Sequence, residues 1–112
     1  MKESGVAYAA AEAAKRTHPE PGMVREVLAY NPQLMLVRHR FEKGWNGARH
    51  GHSHHQLVYV VRGHIRFVAE GTIWELRAGD SVVVNGGVEH QASALEESEV
   101  LDVFTPYRED YA

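Results

Sequence analysis

The chain contains no cysteine among its 112 residues. This absence excludes disulfide bonds, thiolate metal sites, iron–sulfur clusters and cysteine nucleophiles. No apolar stretch approaches the roughly 20 residues that a membrane-spanning helix needs. The formal net charge of −3 does not indicate a surface for nucleic acid or anionic lipid. We therefore expect neither nucleic acid nor membrane as a partner.

The first part of the chain differs in amino-acid composition from the rest. Val6–Arg16 is alanine-rich, which predicts a short helix with Ser4 as its candidate N-cap. An acidic and a basic residue interrupt this run, which is not typical of a signal peptide, so we expect a cytoplasmic protein. Residues 1–22 are assigned to an N-terminal helical or irregular segment, and residues 23–112 to a single domain.

From Met23 onward the sequence indicates β-structure. Short runs rich in β-branched and aromatic residues recur about every 8–10 residues and are separated by glycine-containing turns, a pattern typical of an antiparallel sandwich or barrel. The predicted strands are Val24–Tyr30, Leu34–Phe41, Gln56–Val61, His64–Ala69, Thr72–Leu76, Ser81–Val84 and Val100–Phe104.

Histidine is the residue type out of proportion. There are eight histidines, and four of them fall within residues 50–55. Residues two apart on an extended chain project to the same side, so His50 and His52 point together, and Gln56 joins them if the chain stays extended. Two close imidazoles suit a borderline divalent metal, and His90 is the candidate for a further ligand. Clustered histidines can also be solvated loop residues, and that alternative stays open at this point.

The spacing of these residues matches two known motifs. Gly44, His50, His52, Gln56 and Gly63 fit the pattern G-x5-H-x-H-x3/4-E-x6-G, with glutamine at the glutamate position. Gly79, Asn85, Gly87, His90 and Ala94 fit the pattern G-x5-P-x-G-x2-H-x3-N, with asparagine and alanine at the proline and final asparagine positions. In both motifs the chain resembles the cupin family.

This resemblance implies an all-β fold, a conical antiparallel β-barrel also described as a double-stranded β-helix or jelly roll. It also implies one divalent transition metal (zinc, nickel, iron or manganese) inside the barrel. The ligands that the resemblance assigns are His50, His52, Gln56 and His90. Small cupins commonly pair as homodimers, and we expect a homodimer here.

Glutamine at position 56 affects the chemistry of such a site. Three neutral imidazoles and a carboxamide oxygen leave a bound dication with its full charge, whereas glutamate would reduce it. The neutral set is expected to hold the metal less tightly, to attract an anionic substrate more strongly and to favour a Lewis-acid role over oxygen activation. The alternative is a three-histidine site that Gln56 does not join.

The last predicted strand carries an aspartate among apolar residues. Asp102 and Phe104 share one face of the strand, and a buried aspartate is costly unless it is paired. Periodicity alone slightly favours an edge-strand Asp102 that faces water. Similarly, Phe104 can be ordinary core, and Arg108 can be a solvated tail residue paired with Glu109 or Asp110.

A narrower resemblance weighs against these alternatives. The stretches around Arg40–Gly44, His50–Gln56 and Leu101–Asp110 resemble the KdgF-type pectin-degradation cupins, in which a glutamine ligand is usual. That resemblance implies a metal-dependent enzyme, of the lyase or isomerase type, that opens the ring of 4,5-unsaturated uronates to linear 5-keto-4-deoxyuronates. It implies a small anionic sugar as substrate and assigns Asp102, Phe104 and Arg108 to the catalytic, substrate side of the site.

Other functions remain open at this stage. A non-catalytic sugar-acid or metal sensor, a metal-dependent oxygenase and a different carbohydrate isomerase could use the same fold. Of the remaining histidines, His54 and His55 are expected to support the site or to be exposed, His64 to lie at the surface and His39 to be structural.

Overall fold

The computed structural model describes residues 5–112, and nine β-strands account for most of this part of the chain. The strands are β1 (Lys15–Thr17), β2 (Met23–Asn31), β3 (Leu34–Phe41), β4 (His55–Arg62), β5 (His64–Ala69), β6 (Thr72–Arg77), β7 (Ser81–Val84), β8 (His90–Ala94) and β9 (Ser98–Thr105). Every strand predicted from the sequence is present, and β1 and β8 are additional. No helix among the described residues has the length and apolar character needed to cross a membrane.

The strands form two antiparallel sheets. The larger sheet has the order β1-β2-β3-β9-β4-β7, and the smaller one has the order β6-β5-β8. Their apolar faces meet in a common core, to which Phe41 and Val58 contribute from the larger sheet and Ile65 and Phe67 from the smaller one. A second cluster around Met35 and Phe104 fills the end of the larger sheet. Burial of these faces supplies the main stabilisation of a chain that has no disulfides.

The helix predicted over Val6–Arg16 is wrong. Only Ala11–Ala13 form a single 3₁₀ turn, and Lys15–Thr17 instead pair with β2 as an edge strand. A run this short is marginal as a helix in water, and its alanines offer little apolar surface for packing. The candidate cap Ser4 lies outside the described residues. The division of the chain between residues 22 and 23 stays a prediction. β1, from the N-terminal segment, pairs with β2 in the larger sheet.

Two neighbouring strands of the larger sheet alternate strictly between buried and less buried residues. In β3 the buried positions are Met35, Val37, His39 and Phe41, and in β9 they are Ser98, Val100, Asp102 and Phe104. This period of two is that of a strand with one face toward a core. Polar His39 and Asp102 therefore take positions that the pattern would otherwise give to apolar residues.

Gly63 and Gly87 stand where the backbone requires glycine. Gly63 has φ +100, and a Cβ there would clash with Ser98 Oγ. Gly87 has φ +87, and its amide donates to the carbonyl of His52 at 2.8 Å. Both conformations are in the left-handed region that other residues rarely adopt. Gly87 therefore ties the turn before β8 to the histidine-rich segment.

Candidate metal centre and active site

Three histidines from two separate segments converge in the structure. His50 and His52 lie in the connection between β3 and β4, and His90 begins β8. The backbones of His50 and His90 bond to each other in both directions, at 3.0 and 2.8 Å. One ring nitrogen from each of His50, His52 and His90 lies within 4.8 Å of the others. The segments that the two motifs predicted to meet are therefore together.

Each imidazole is oriented by a backbone carbonyl. The Nδ1 atoms of His50, His52 and His90 lie 3.0, 2.9 and 3.0 Å from carbonyl oxygens. A carbonyl only accepts, so each Nδ1 carries the hydrogen, and each Nε2 presents a lone pair. Neutral histidines held in this way are typical metal ligands.

Burial keeps two of these rings in the neutral form that a metal requires. It lowers the pKa of His52, and it lowers the pKa of His90, to which the neighbouring His50 and His52 add a smaller contribution. His90 Nε2 is buried and has no hydrogen-bond partner. A buried polar atom without a partner is costly, and a cation at the centre of the cluster would satisfy it.

Gln56 offers a fourth donor atom beside the three histidines, and these four residues form a candidate donor set. Its Oε1 lies 3.0 Å from His52 Nε2, the nitrogen that carries no hydrogen in this tautomer. Two lone pairs therefore face each other across this distance, an unfavourable arrangement that a cation bound by both atoms would relieve. The residues present fit a divalent transition ion held by His50, His52, His90 and Gln56.

Asp102 determines which way the Gln56 amide points. Gln56 Nε2 donates to Asp102 Oδ1 at 2.8 Å, which turns the amide oxygen toward His52. The opposite orientation would place the amide oxygen against a carboxylate oxygen. Asp102 therefore acts on the metal site through Gln56 without belonging to the donor set itself.

Asp102 is buried inside the larger sheet, so the expectation of a water-facing edge position is wrong. Its strand lies between β3 and β4, and only 4 % of the residue is exposed. Its second oxygen, Oδ2, lies 2.7 Å from His39 Nδ1, and Arg25 Nε donates to His39 Nε2 at 3.0 Å. Gln56 and His39 thus bond to one carboxylate oxygen each, and a buried carboxylate requires such partners.

Phe104 and Arg108 lie beside this cluster. Phe104 is 1 % exposed and is core, but its ring also lies 5.9 Å from that of His52 and 5.0 Å from the Arg108 guanidinium. Arg108 forms two hydrogen bonds with Asp110, the ion pair that the sequence had left as an alternative. Its side chain is nevertheless only 12 % exposed, and it stacks on Tyr111 at 4.1 Å. Arg108 is thus packed at the site and is not a solvated tail residue.

Most of these residues, His52 excepted, line one cavity of about 250 Å³. His50, His90, Gln56, Asp102, Phe104, Arg108, Arg25, His39 and Tyr111 border it, together with apolar residues of both sheets. A cavity with an apolar wall and a few convergent polar groups is the usual form of a small-molecule site. Its lone-pair donors, buried carboxylate and guanidinium can together bind a cation, exchange a proton and hold an anion.

Sequence reasoning missed Arg25, His39 and Tyr111 as cavity residues. Arg25 and His39 sit in strands where neighbouring residues are also charged, so alternation alone did not single them out. His64, expected at the surface, is 8 % exposed and contacts Glu75. His54 lies half-buried against the ring of His52, whereas His55 is exposed, as expected for residues outside the donor set.

Comparison with known proteins agrees with this architecture. The cupin domain model matches residues 37–104. The pectin degradation protein KdgF of Dickeya dadantii is 36 % identical over 92 residues, which cover 80 % of this chain and 84 % of that protein. The chain therefore belongs to the cupin family.

Two solved structures are similar over nearly the whole chain. KdgF from Halomonas sp. is 35 % identical, with a TM-score of 0.89 and coverage of 95 % of this chain and 100 % of that one. An RmlC-like cupin from Shewanella frigidimarina is also 35 % identical, with a TM-score of 0.88 and coverage of 94 % and 95 %. Within the cupin family, this chain thus resembles KdgF in both sequence and structure.

Proposed function

We propose that the protein is a metal-dependent enzyme that opens the ring of 4,5-unsaturated uronates to linear 5-keto-4-deoxyuronates. The observation that carries this proposal is the neutral donor set of His50, His52, His90 and Gln56, which lies beside buried Asp102 at the edge of one cavity. The similarity to two KdgF proteins, one of them named for pectin degradation, supports a polyuronate-derived substrate.

The substrate class sets three tasks for the residues. A 4,5-unsaturated uronate is an enol ether with a carboxylate at C5, so ring opening requires a proton at C4, water at C5 and collapse of the resulting hemiketal. A bound divalent ion supplies a Lewis acid that attracts the substrate's anionic oxygen and stabilises developing negative charge. The ion would be zinc, nickel, iron or manganese.

The remaining tasks fall to side chains of this chain. Asp102 is the general acid and base, because it is the carboxyl group that lines the cavity beside the donor set. Arg108 holds the substrate carboxylate through its guanidinium, and Phe104 packs against the sugar ring.

Loss of the C4=C5 chromophore tests the proposal. Metal-loaded protein is incubated with a lyase-generated unsaturated uronate, and we expect the absorbance to fall faster than in buffer. At saturating metal, Asp102→Asn should lower turnover by about 100-fold or more while the ion stays bound. Asp80→Asn is the matched control, because Asp80 lies in the turn before β7, outside the residues that line the cavity.

The result has clear alternatives. Absence of acceleration by the wild-type protein would contradict ring opening, and binding of the sugar acid without turnover would instead indicate a sensor. Consumption of oxygen would indicate an oxygenase. Loss of the ion from Asp102→Asn even at saturating metal would mean that its low turnover reports the metal site, and it would not support an acid–base role.

We also propose that the enzyme is a cytoplasmic homodimer. The outer face of the larger sheet exposes Leu57, Tyr59 and Val61 on β4 and Val83 on the edge strand β7. A second copy packed there would cover this apolar face. Light scattering should give a dimer for the wild type and a monomer for Tyr59→Lys, and cell fractionation tests the location.

A further inference from the structure

A line of polar side chains crosses the inner face of the larger sheet. Arg25 of β2, His39 of β3, Asp102 of β9 and Gln56 of β4 are joined by consecutive hydrogen bonds of 3.0, 2.7 and 2.8 Å. One member lies on each of four adjacent strands. Of the four, Arg25 and His39 have no task in the reaction as proposed above.

The hydrogen inventory fixes the state of His39. Arginine only donates, so His39 Nε2 must accept from Arg25 and carries no hydrogen. The single N–H of neutral His39 is then on Nδ1 and points at Asp102 Oδ2. The other tautomer would set two N–H groups against each other at Arg25 and a lone pair against the carboxylate. Arg25 and Asp102 therefore select the same tautomer of His39.

Packing holds both residues in place. The Arg25 guanidinium lies 3.7 Å from the centre of the Tyr111 ring, and the His39 ring stacks on Phe41 at 5.6 Å. His39 is only 6 % exposed. His39, which donates to Asp102 Oδ2, is thus held by Arg25 on one side and by Phe41 on the other. The donor to Oδ1 is the Gln56 amide.

We propose that Arg25 and His39 are positioning residues that hold the Asp102 carboxylate and, through it, turn the Gln56 amide oxygen toward the metal ligands. This inference rests on the proposed function for its effect on turnover. Its effect on the metal site does not depend on the identity of the substrate. Neither residue touches the donor atoms of the three histidines.

Two kinds of variant test the proposal. His39→Leu removes the donor to Asp102, and His39→Asn keeps a side-chain N–H near the position of Nδ1. We expect His39→Leu to lower kcat and metal affinity each by about 10-fold to 100-fold, with KM little changed, and His39→Asn to recover part of the loss. His64→Leu is the matched control, because His64 is also buried but contacts Glu75 and does not line the cavity.

A second variant and a second measurement guard against a folding defect. Arg25→Met leaves His39 in place, and Arg66→Met is its control outside the cavity. Long-range nitrogen–proton spectra of the histidines should show His39 of the wild type in the Nδ1–H form, and Arg25→Met should retain this form through Asp102 while metal affinity falls by less than in His39→Leu. Circular dichroism verifies the fold of each variant.

The outcomes separate this inference from the proposed function. A wild-type His39 in the Nε2–H form, or wild-type kcat and metal affinity in His39→Leu, would overturn the positioning role. If the wild type opens no uronate, the proposed function fails, but titration with cobalt(II) still decides the present point. Weaker cobalt binding by His39→Leu than by His64→Leu supports it, and equal binding refutes it.

Discussion

At the scale of single residues, Gln56 contacts two parts of the site at once. Its amide has a donor end that bonds to Asp102 and an acceptor end that faces His52. A glutamate would place two carboxylates at about hydrogen-bond distance, and like charges that close do not both ionise. The presence of Asp102 thus explains glutamine at a position where the motif has glutamate.

Gln56→Glu is therefore expected to change metal binding in a pH-dependent way. The added negative charge should tighten binding of zinc, but the shared proton with Asp102 opposes this gain until the pH rises. Calorimetric titration at mildly acidic and mildly alkaline pH should show tighter binding than wild type only at the higher pH. Turnover should fall at both values, because Gln56→Glu removes the N–H donor that holds Asp102 Oδ1. If the ratio of zinc affinities of Gln56→Glu and the wild type were the same at both pH values, this account would be contradicted.

Arg108→Met tests the anion-binding role of the guanidinium. Hydrogen bonds to a charged group contribute about 1.5–3 kcal/mol, so KM for an unsaturated uronate should rise by at least 10-fold. Steady-state kinetics measures this change, and Arg62→Met, on the outer face of the sheet, is the control. An unchanged KM would leave Arg108 with only its ion pair to Asp110.

At the scale of strands, the outer face of β2 carries a buried carboxylate. Glu26 is 0 % exposed and accepts from Arg16 of β1 and Arg38 and Arg40 of β3. The hydrogen bond from Arg38, opposed by burial and reinforced by Arg16, lowers the pKa of Glu26 from 4.5 to about 2. This cluster ties the added edge strand β1 to the rest of the larger sheet.

The Glu26 cluster predicts a specific acid sensitivity. Because the folded-state pKa lies below the unfolded value, its stabilisation is present above pH 4.5 and is lost as the pH falls toward 2. The difference corresponds to on the order of 3 kcal/mol in the free energy of unfolding. Urea titrations at neutral and acidic pH should show a smaller decrease for Glu26→Gln than for the wild type. Parallel decreases would contradict the assignment.

The sequence predicted strands better than it predicted which side chains meet. The seven β-rich runs were identified because their hydrophobic residues alternate or cluster, whereas β8 was missed because His90–Ala94 contains no β-branched residue. β1 was missed because its three polar residues gain their strand conformation from pairing with β2. Such pairing is a tertiary effect that overrides local propensity.

The same limit applies to the site. His50, His52 and His90 could be predicted because motif spacing records their convergence. Arg25 and His39 could not, because their contact depends on the register between β2 and β3, where they lie directly opposite each other. Register across a sheet is not visible in either strand alone.

At the scale of the whole molecule, the metal site joins the two sheets. His50 and His52 precede β4 of the larger sheet, and His90 belongs to β8 of the smaller one. An ion bound by all three would therefore restrain the two sheets relative to each other. Binding to the folded state alone stabilises it by mass action.

Zinc should accordingly raise the melting temperature of the protein, and a chelator should lower it. A ligand at 100 times its Kd contributes about 2.7 kcal/mol of stability. Differential scanning fluorimetry should show this shift in the wild type and in His64→Ala but not in His90→Ala. A shift of equal size in His90→Ala would place the ion elsewhere.

The two hydrogen-bonding ends of the Gln56 amide also predict a pattern of sequence covariation among homologues. The amide oxygen faces His52 and the amide nitrogen donates to Asp102, so the residue types at positions 56 and 102 should depend on each other. Among homologous genes, glutamine at 56 should be inherited together with aspartate at 102, and lineages that revert to glutamate should have lost that aspartate. The residues at positions 56 and 102 would then identify the cupins that retain the hydrogen bond between this glutamine and this aspartate.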